Sequence, residues 1–536
     1  MAHPTAVSLV ELPDPCLLAV LQYCVDDPAS LCSAARAHSR LHQAAVLALS
    51  SLSTACMKRK RQVDSLLLYL SKHGQHVDSM RLYGAGGSKV CLLQLAPNLQ
   101  LTSLHFYKIT LHLQTGALHC PSDGLVLATL PLKQLQLDDC VLPGGSKGLR
   151  VALSKLPELQ YLSISSIFHV DGRCSSICLA VLTKLQHLTH LKLRNLRLKL
   201  PGVDTPYLQP LQALTVLREV HIDLDSTSRA FRIGTGMLSA SHLKCLCLEG
   251  NVALEAGVLA DKTELQHLSL GLKNLPGGAA RVAQLLSELQ HLQQLTYLDL
   301  QGSMRATADN PPAAAFSALT ASSKLQYLDI SKCTLPAGVW QHILPRAGRQ
   351  LEHLQELEIS GVWLPTGDFA AAPDGSRLVS CCPGLQSLCM QCLQSRAEQL
   401  APLQDLSGLR SLSLTTSAEQ SNQVLWVVAS LTGLRQLGLC VVGDFDQLAL
   451  LQVTQLKHLT ALSYDGHLSG ALTRLELSSK VSLKPCMAHM TIVSANPSCG
   501  SALLLSTCSG CLQRFAFVHT PAAQRNESVP HYAFIC

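Results

Sequence analysis

The sequence predicts an α/β solenoid of short repeats, in which a curved parallel sheet carries helices on its convex side and follows a short helical N-terminal segment. Three observations indicate this fold. Roughly one residue in five is leucine, whereas aromatic residues make up only 4% of the chain. The pattern L-x-x-L-x-L recurs many times, and its copies are evenly spaced. A core built almost wholly from leucine is typical of one structural unit that is used repeatedly.

The copies of this pattern differ in how closely they keep the three leucines. Clear copies begin at Leu132, Leu188, Leu243, Leu265, Leu295, Leu409 and Leu434, and copies that end in isoleucine begin at Leu159, Leu325 and Leu354. Degenerate copies begin at Val77, Leu101, Leu217, Leu385, Leu459, Met487 and Leu512. Three out-of-phase matches, at Leu127, Leu193 and Leu472, are close to the roughly four that chance predicts at this leucine content.

The spacing of the copies is a stronger indication than the pattern itself. The seventeen in-phase copies start between residues 77 and 512, at sixteen intervals of 22 to 31 residues that average about 27. On a strand, the fourth and sixth positions of the pattern point inward, and the third, fifth and seventh point outward. We therefore expect a solenoid of about seventeen repeats over residues 77–517, although Leu472 leaves the register around residues 459–487 open.

These residues resemble the leucine-rich repeat family across about residues 77–517. The family carries Asn or Cys at the ninth position of the unit, which Cys140, Asn251 and Cys333 match and which Ile109, Asp225, Ser303 and His467 do not. The cysteines are similar to those of the intracellular, cysteine-containing class. The resemblance implies a non-enzymatic surface that binds another protein.

Residues 8–50 do not follow the repeat and predict two helices, with Pro13 and Asp14 at the first helix start. They resemble an F-box, whose pattern is matched here by Leu12, Pro13, Leu17, Leu18, Leu21, Leu31, Ala35 and Arg36. The resemblance implies that these residues dock onto the adaptor of a cullin–RING ubiquitin ligase while the repeats select a substrate. The alternative is a helical cap that covers the first repeat.

Residues 51–76 predict a basic linker and helix, and residues 518–536 form a tail without a clear pattern. The run from Lys58 to Arg61 is either a nuclear-import signal or a solvated loop. The net charge of +6 is mild for 536 residues, which argues against a nucleic-acid binder. Neither a signal peptide nor a membrane-spanning run is expected. We expect a monomeric cytoplasmic protein, with a nuclear, cytoskeletal or ciliary location as alternatives.

The 22 cysteines are scattered and have mostly apolar neighbours, which predicts packed free thiols. Two C-x-x-C pairs, Cys389/Cys392 and Cys508/Cys511, are 116 residues apart, too far in a solenoid to share a zinc ion. The histidines show no conspicuous ligand spacing. No nucleotide-binding loop, hydrolase motif or calcium loop is present. The sequence therefore predicts neither an enzyme nor a metal or cofactor site.

The outward positions of the repeats predict a partner-binding face. One repeat offers a basic patch, and three consecutive repeats offer an aromatic and acidic strip. The predicted residues are His190, Lys192 and Arg194 in the patch, and Tyr297, Asp299, Tyr327, Asp329, Glu356 and Glu358 in the strip. Aromatic residues are enriched at protein interfaces, and acidic side chains steer a basic partner. The alternative is that these charges only keep the sheet soluble.

Two functions remain open from the sequence: an F-box substrate receptor, and a leucine-rich repeat scaffold of the cytoskeleton or a cilium. The surface of the N-terminal segment distinguishes them. An exposed patch of Leu12, Leu17, Leu21 and Leu31 would favour an adaptor-binding segment. Packing of these leucines on the repeat at Val77 would favour a cap.

Overall fold

The structure, a computed structural model, describes most of the repeats. The described residues are 9–22, 33–34, 36–48, 51–57, 70, 72, 74–84, 89–91, 99–112, 130–141, 145–167, 176–199, 209–224, 231–236, 238–250, 252–272, 278–304, 311–345, 350–393, 396–442, 452–453, 455–466, 482–485, 490–494 and 503–507. They form two compact units. Unit 1 comprises residues 1–370 with 380–385, and unit 2 comprises residues 371–379 with 386–536.

Unit 1 contains a sheet whose described strands are all parallel to their neighbours and follow one another in chain order. The strands are β1 (Ser51–Met57), β2 (Ser79–Gly84), β3 (Ser103–Tyr107), β4 (Gln134–Asp138), β5 (Tyr161–Ser165), β6 (His190–Lys199), β7 (Glu219–Leu224), β8 (Cys245–Gly250), β9 (His267–Leu272), β10 (Tyr297–Asp299), β11 (Tyr327–Asp329) and β12 (Glu356–Ile359). Shorter parallel pairs join Lys89–Cys91 to Thr110–His112, Ser176–Cys178 to the end of β6, and Phe231–Ile233 to Val252–Leu254.

Unit 2 contains parallel strands with the same repeat pattern. They are β13 (Ser387–Gln391), β14 (Ser411–Ser417), β15 (Gln436–Val442), β16 (Ala461–Gly466) and β17 (Ser482–Pro485). Beyond them, Met490–Ser494 and Leu503–Thr507 pair in the antiparallel sense.

Helices or 3-10 turns occupy many of the segments between strands. The α-helices of the described chain are α1 (Asp14–Gln22), α2 (Ser39–Ala48), α3 (Gly145–Leu153), α4 (Gly278–Leu289), α5 (Trp340–Ile343), α6 (Gly375–Cys381), α7 (Ala397–Leu400) and α8 (Ala418–Ala429). The 3-10 segments are Leu9–Glu11, Gly74–His76, Leu179–Lys184, Gln209–Ala213, Ala313–Thr320 and Ala401–Asp405. No helix among the described residues is both long and apolar enough to span a bilayer.

The repeat register predicted from the sequence is confirmed for fifteen of the seventeen copies. From the copy at Val77 to the copy at Leu459, a strand begins two residues after the start of each copy. The first, fourth and sixth positions are buried, as in Leu295, Leu298 and Leu300, which are at most 3% exposed. The predicted α/β leucine-rich repeat solenoid is therefore the observed fold class.

Both ends of the predicted solenoid need correction. At the N-terminal end, β1 lies inside the segment predicted as a linker and pairs with β2. The sheet therefore begins before residue 77. At the C-terminal end, the copy at Met487 is wrong as a parallel repeat, because β17 begins at Ser482 and the strand Met490–Ser494 beyond it pairs in the antiparallel sense. The copy at Leu512 lies outside the described residues. Chance matches to L-x-x-L-x-L are frequent in a leucine-rich chain. A degenerate copy such as the one at Met487 can therefore have the expected spacing without being a repeat. The run Lys58–Arg61 and the tail 518–536 lie outside the described residues.

The turn after eight of the described strands has a left-handed residue at the eighth position of the repeat. Lys108, Asp139, Ser166, Asn195 and Lys332 have positive φ values there, between 48° and 56°. Glycine occupies the equivalent position after other strands, for example Gly250, whose φ is +78°. The chain needs this conformation to leave the sheet and begin its return.

The ninth-position cysteines connect neighbouring repeats. The Cys140 Sγ donates a hydrogen bond to the Phe106 carbonyl (3.4 Å), and the Cys333 Sγ donates one to the Leu300 carbonyl (3.0 Å). Burial raises the pKa of both thiols to about 12, so the S–H group remains a donor at neutral pH. The cysteine thus satisfies a backbone carbonyl in the preceding repeat.

A buried polar network connects α4 to the preceding repeat. Glu288, only 2% exposed, accepts hydrogen bonds from the backbone N–H groups of Gly257 (2.6 Å) and Leu259 (2.9 Å). Arg281 donates to the Glu255 carbonyl at 2.6 Å and lies 3.7 Å from Glu288. Buried charges are tolerated when they are paired and hydrogen-bonded in this way.

The N-terminal segment forms a small core of its own. α1 packs against α2, and the buried cluster consists of Leu17, Leu21, Leu41, Ala44 and Ala45, with Val10, Leu18 and Ala34 packed against it.

Arg40 connects the second helix of this segment to the chain before the first. Its guanidinium donates to the carbonyls of Val10 (2.6 Å) and Leu12 (3.0 Å) and pairs with Asp14. Arg40 therefore links the chain around Leu12 to both helices of the segment.

Gly250→Ala is expected to destabilise unit 1, because an added Cβ would lie 2.0 Å from the Leu224 carbonyl oxygen. Gly236→Ala is the matched control, since Gly236 also has a positive φ (+82°) but an added Cβ there would meet no atom within 4 Å. The control should cost about 1 kcal/mol of backbone strain. The Gly250 variant should cost at least about 2 kcal/mol more, because the backbone must move. Urea unfolding followed by circular dichroism measures both, and equal losses would contradict the close approach.

Candidate functional site

The outward face of unit 1 consists of the third, fifth and seventh positions of its repeats. Because neighbouring strands pair without a shift in this region, equivalent positions form rows across the sheet. Tyr297, Tyr327 and Glu356 are direct partners in one row, and Asp299, Asp329 and Glu358 are partners in the next. The structure therefore brings together all six residues of the predicted acidic–aromatic strip.

The tyrosines of the strip form a continuous stack. The rings of Tyr297 and Tyr327 are 4.2 Å apart and nearly parallel, with an interplanar angle of 3°. The imidazole of His267 extends the stack, at 3.9 Å and 8° from Tyr297. The sequence prediction did not include His267, although its third position in the preceding repeat could have indicated it. Because their faces cover one another, the three rings present a continuous row of aromatic edges on this side of the sheet, and aromatic side chains often anchor protein interfaces.

Two of the carboxylates beside the stack are fixed by hydrogen bonds. Asp299 accepts from the Ser269 hydroxyl (2.9 Å) and from the Gln301 backbone N–H (2.9 Å). Asp329 accepts from the backbone N–H of Ser331 at 2.7 Å and from the hydroxyl of the same residue. Asp329 is only 4% exposed, which corrects its prediction as a contact residue. The other strip residues are half-buried or exposed.

Partial burial and the closeness of other carboxylates raise the pKa of acidic groups in the strip. Burial raises the pKa of Asp329 and of Glu358, and the nearby Asp299 carboxylate raises both further. Burial also raises the pKa of Tyr297 to about 12 and that of Tyr327. The phenols are therefore neutral at physiological pH, and the negative charge of the strip belongs to the carboxylates.

The predicted basic patch on β6 lies beside acidic residues of β7. His190 Nε2 is 3.4 Å from a Glu219 carboxylate oxygen, and Arg194 is paired in register with Asp223. Lys192 Nζ lies 5.8 Å from the ring centre of Tyr161. Part of the positive charge that the sequence indicates is therefore compensated by neighbours.

A cluster of two thiols and one imidazole lies between the patch and the strip. Cys245 Sγ is 3.4 Å from His221 Nε2 and 3.8 Å from Cys247 Sγ. Arg194, Asp223 and Glu249 share a cavity of about 260 Å³ with His221 and Cys247. The Cys247 thiol, by its hydrogen bond, lowers the pKa of Cys245, and the same bond raises that of Cys247.

The sequence prediction missed this cluster, because its residues show no conspicuous ligand spacing along the chain. His221 is 24 residues from Cys245, so no local motif joins them. Repeat register supplies the missing signal, since β7 and β8 pair His221 with Cys247 directly.

A second aromatic group that the sequence prediction missed lies near the start of unit 1. Tyr83 contacts His105 and Tyr107, each with a ring separation of 5.9 Å. His105 is 3.0 Å from the Asp138 carboxylate. All four occupy outward positions of β2, β3 and β4.

The predicted adaptor-binding residues are divided between core and surface. Leu17 and Leu21 are buried in the N-terminal core, at 0% and 2% exposure, which corrects their assignment to a contact surface. Leu12 and Leu18 are half-buried and Pro13 is exposed. Leu31 and Ala35 lie outside the described residues.

The structure describes one of the two C-x-x-C pairs. In unit 2, Cys389 is half-buried and Cys392 is buried, and burial raises the pKa of Cys392 to about 12. Such a thiol is protonated and unreactive at neutral pH. Cys508 and Cys511 lie outside the described residues.

Asp329→Asn is expected to stabilise the protein at pH 7, on the order of 1 kcal/mol. The raised pKa means that the folded state disfavours the ionised carboxyl, so stability falls as pH rises through that pKa. Asparagine retains the oxygen that accepts from Ser331 and removes the charge. The gain should shrink as the pH is lowered and should vanish below the ordinary pKa of 3.8, where both states bind the proton.

Thermal unfolding across this pH range measures the effect. Glu352→Gln, at an exposed site of the same unit, is the control and should change stability little. A less stable Asp329→Asn protein at pH 7 would contradict the argument.

Comparison with known proteins agrees with the repeat architecture. The family described as leucine-rich repeat region matches residues 146–481, and the curated proteins give no match. A leucine-rich repeat protein of Leptospira interrogans is similar at 19% identity and a TM-score of 0.40, covering 81% of this chain and 88% of its own. The plant peptide hormone receptor RGFR1 in complex with RGF2 is similar at 14% identity and a TM-score of 0.27, covering 81% and 82%. Because the family match spans more than half of the 536 residues, the chain belongs to the leucine-rich repeat family of protein-interaction modules.

Proposed function

We propose that the outward face of unit 1 binds a basic segment of a protein partner. The observation that carries this proposal is the stack of His267, Tyr297 and Tyr327 beside fixed carboxylates. The stack offers apolar contact area at low entropic cost, since the rings are already ordered by one another. Lysine or arginine side chains of the partner would pair with the carboxylates, and their aliphatic stems would contact the ring edges.

The carboxylates on this face form a group that continues onto earlier strands. Asp299, Glu356 and Glu358 border the stack, and Glu249 lies one row further, where burial and the charge of Asp223 raise its pKa. Like charges held close together lower their own ionisation, and a cationic partner would relieve that repulsion. A basic ligand is therefore favoured over an acidic or neutral one.

We further propose that the protein is a substrate receptor of a cullin–RING ubiquitin ligase, located in the cytoplasm. The support is that α1 and α2 bury Leu17 and Leu21 against each other, within the N-terminal segment itself. A self-contained helical pair suits a docking element better than a cap, whose leucines would lie on the first repeat. In this proposal the contact residues are Leu12, Pro13 and Leu18, together with the exposed Val20. A capped scaffold remains the competing function.

Capture of the ligase adaptor tests the receptor proposal. The intact chain should capture the adaptor of a cullin–RING ligase from a purified mixture, and Leu12→Ala/Pro13→Ala should lose at least about 90% of it. Both residues lie outside the buried cluster, so the variant should fold, which circular dichroism checks. Val151→Ala, an exposed apolar site on α3, should capture normally. Absence of capture by the folded intact chain would leave the capped scaffold.

Binding of a labelled lysine- and serine-rich peptide tests the face of unit 1 separately. Tyr297→Ala/Tyr327→Ala and Glu356→Lys/Glu358→Lys should each raise the Kd by roughly tenfold or more, equivalent to about 1.4 kcal/mol. Glu352→Lys, an exposed charge reversal at a residue outside the strip, is the control. Fluorescence anisotropy gives the Kd values, and affinity should fall with added salt. A glutamate- and serine-rich peptide that binds equally well would refute the proposal.

A further inference from the structure

His221, Cys245 and Cys247 have the geometry of a preformed metal site. Their three ligand atoms, Nε2 and the two Sγ atoms, all lie within 4.8 Å of one another. A tetrahedral zinc ion with Zn–S bonds of about 2.3 Å and a Zn–N bond of about 2.0–2.1 Å holds its ligand atoms about 3.8 Å (S to S) and 3.5 Å (S to N) apart. The observed separations are 3.8 Å between the two sulfurs and 3.4 Å between Cys245 Sγ and His221 Nε2.

The backbone holds these ligands in place. β7 and β8 are hydrogen-bonded neighbours, and their register places His221 beside Cys247 and Glu219 beside Cys245. Both cysteines point to the outward face because they are two residues apart on one strand. Two ligands from one strand and one from its neighbour need no loop movement to converge, so little conformational entropy is lost on binding a metal.

We propose that His221, Cys245 and Cys247 form a binding site for Zn²⁺ on the outward face of unit 1. Two thiolates and an imidazole are a donor set that zinc favours, whereas magnesium and calcium prefer oxygen ligands. Binding converts two thiols to thiolates, releases two protons and gives a neutral Zn(Cys)₂ unit with a histidine ligand. The protein supplies three ligands, so a fourth position remains for water or for a side chain of a partner.

The surroundings suit such an ion. Cys247 is 8% exposed, and Cys245 and His221 are half-buried, so the site is shielded yet reachable from solvent. Asp223 and Glu249 line the adjoining cavity and can accept hydrogen bonds from a metal-bound water, while Arg194 limits the negative charge there. This inference does not depend on the identity of a protein partner or on the N-terminal segment.

Cobalt substitution tests the site. The full-length chain, reduced and stripped of metal, is titrated with Co²⁺, whose visible bands report tetrahedral geometry and whose near-ultraviolet band reports thiolate ligands. One equivalent should bind, and Zn²⁺ should displace it. Cys245→Ser and Cys247→Ser should abolish the thiolate band, and His221→Asn should weaken Co²⁺ binding by at least about tenfold. His221→Cys should retain tetrahedral binding, because a third thiolate can replace the imidazole.

The other cysteines of the chain require a matched control. Cys389→Ser removes a half-buried thiol from the fifth position of a repeat in unit 2, equivalent to that of Cys247, and should leave the spectrum unchanged. Circular dichroism verifies that each variant is folded. The proposal is overturned if the intact chain gives no thiolate band, or if the band survives in both cysteine variants. A disulfide between Cys245 and Cys247 in the native protein isolated without a reductant would also overturn it.

Discussion

Lateral pairing of parallel strands in a fixed register is the interaction on which the rest of this structure depends. Each repeat buries three apolar side chains, and burial of each contributes roughly 1.5–3 kcal/mol. These side chains are removed from water only when a neighbouring repeat covers the strand, so a single repeat cannot offset the entropy of ordering its chain. The backbone hydrogen bonds between strands therefore set both the stability of the units and the positions of the outward side chains.

Register also decides the chemistry of the outward face. Residues that are 24 to 30 positions apart in sequence become direct neighbours, as with His221 and Cys245 or Tyr297 and Tyr327. Rows of equivalent positions give stacked rings, adjacent carboxylates and a thiol–imidazole cluster. None of these groups requires a loop, so their geometry is as rigid as the sheet that carries them.

A small set of side-chain hydrogen bonds also joins neighbouring repeats. The ninth-position thiols of Cys140 and Cys333 satisfy carbonyls of the preceding repeat, and Glu288 accepts from two backbone N–H groups of a neighbouring one. Left-handed residues after the strands, such as Asn195 and Gly250, turn the chain away from the sheet. The N-terminal helices follow a different principle, since they bury Leu17 and Leu21 against each other.

The sequence by itself determined the fold class, the strand positions from Val77 to Leu459 and the residues of the acidic–aromatic strip. They follow from the repeat period, because the third, fifth and seventh positions of each repeat lie on one face of the sheet. It did not determine where the sheet begins or ends, because β1 and β17 lack a clear pattern and degenerate copies resemble chance matches. Only the tertiary structure decided that Asp329 is buried, that His267 joins the stack and that His221 meets two cysteines. Those facts depend on how neighbouring repeats align and on side-chain packing between them, which no single repeat encodes.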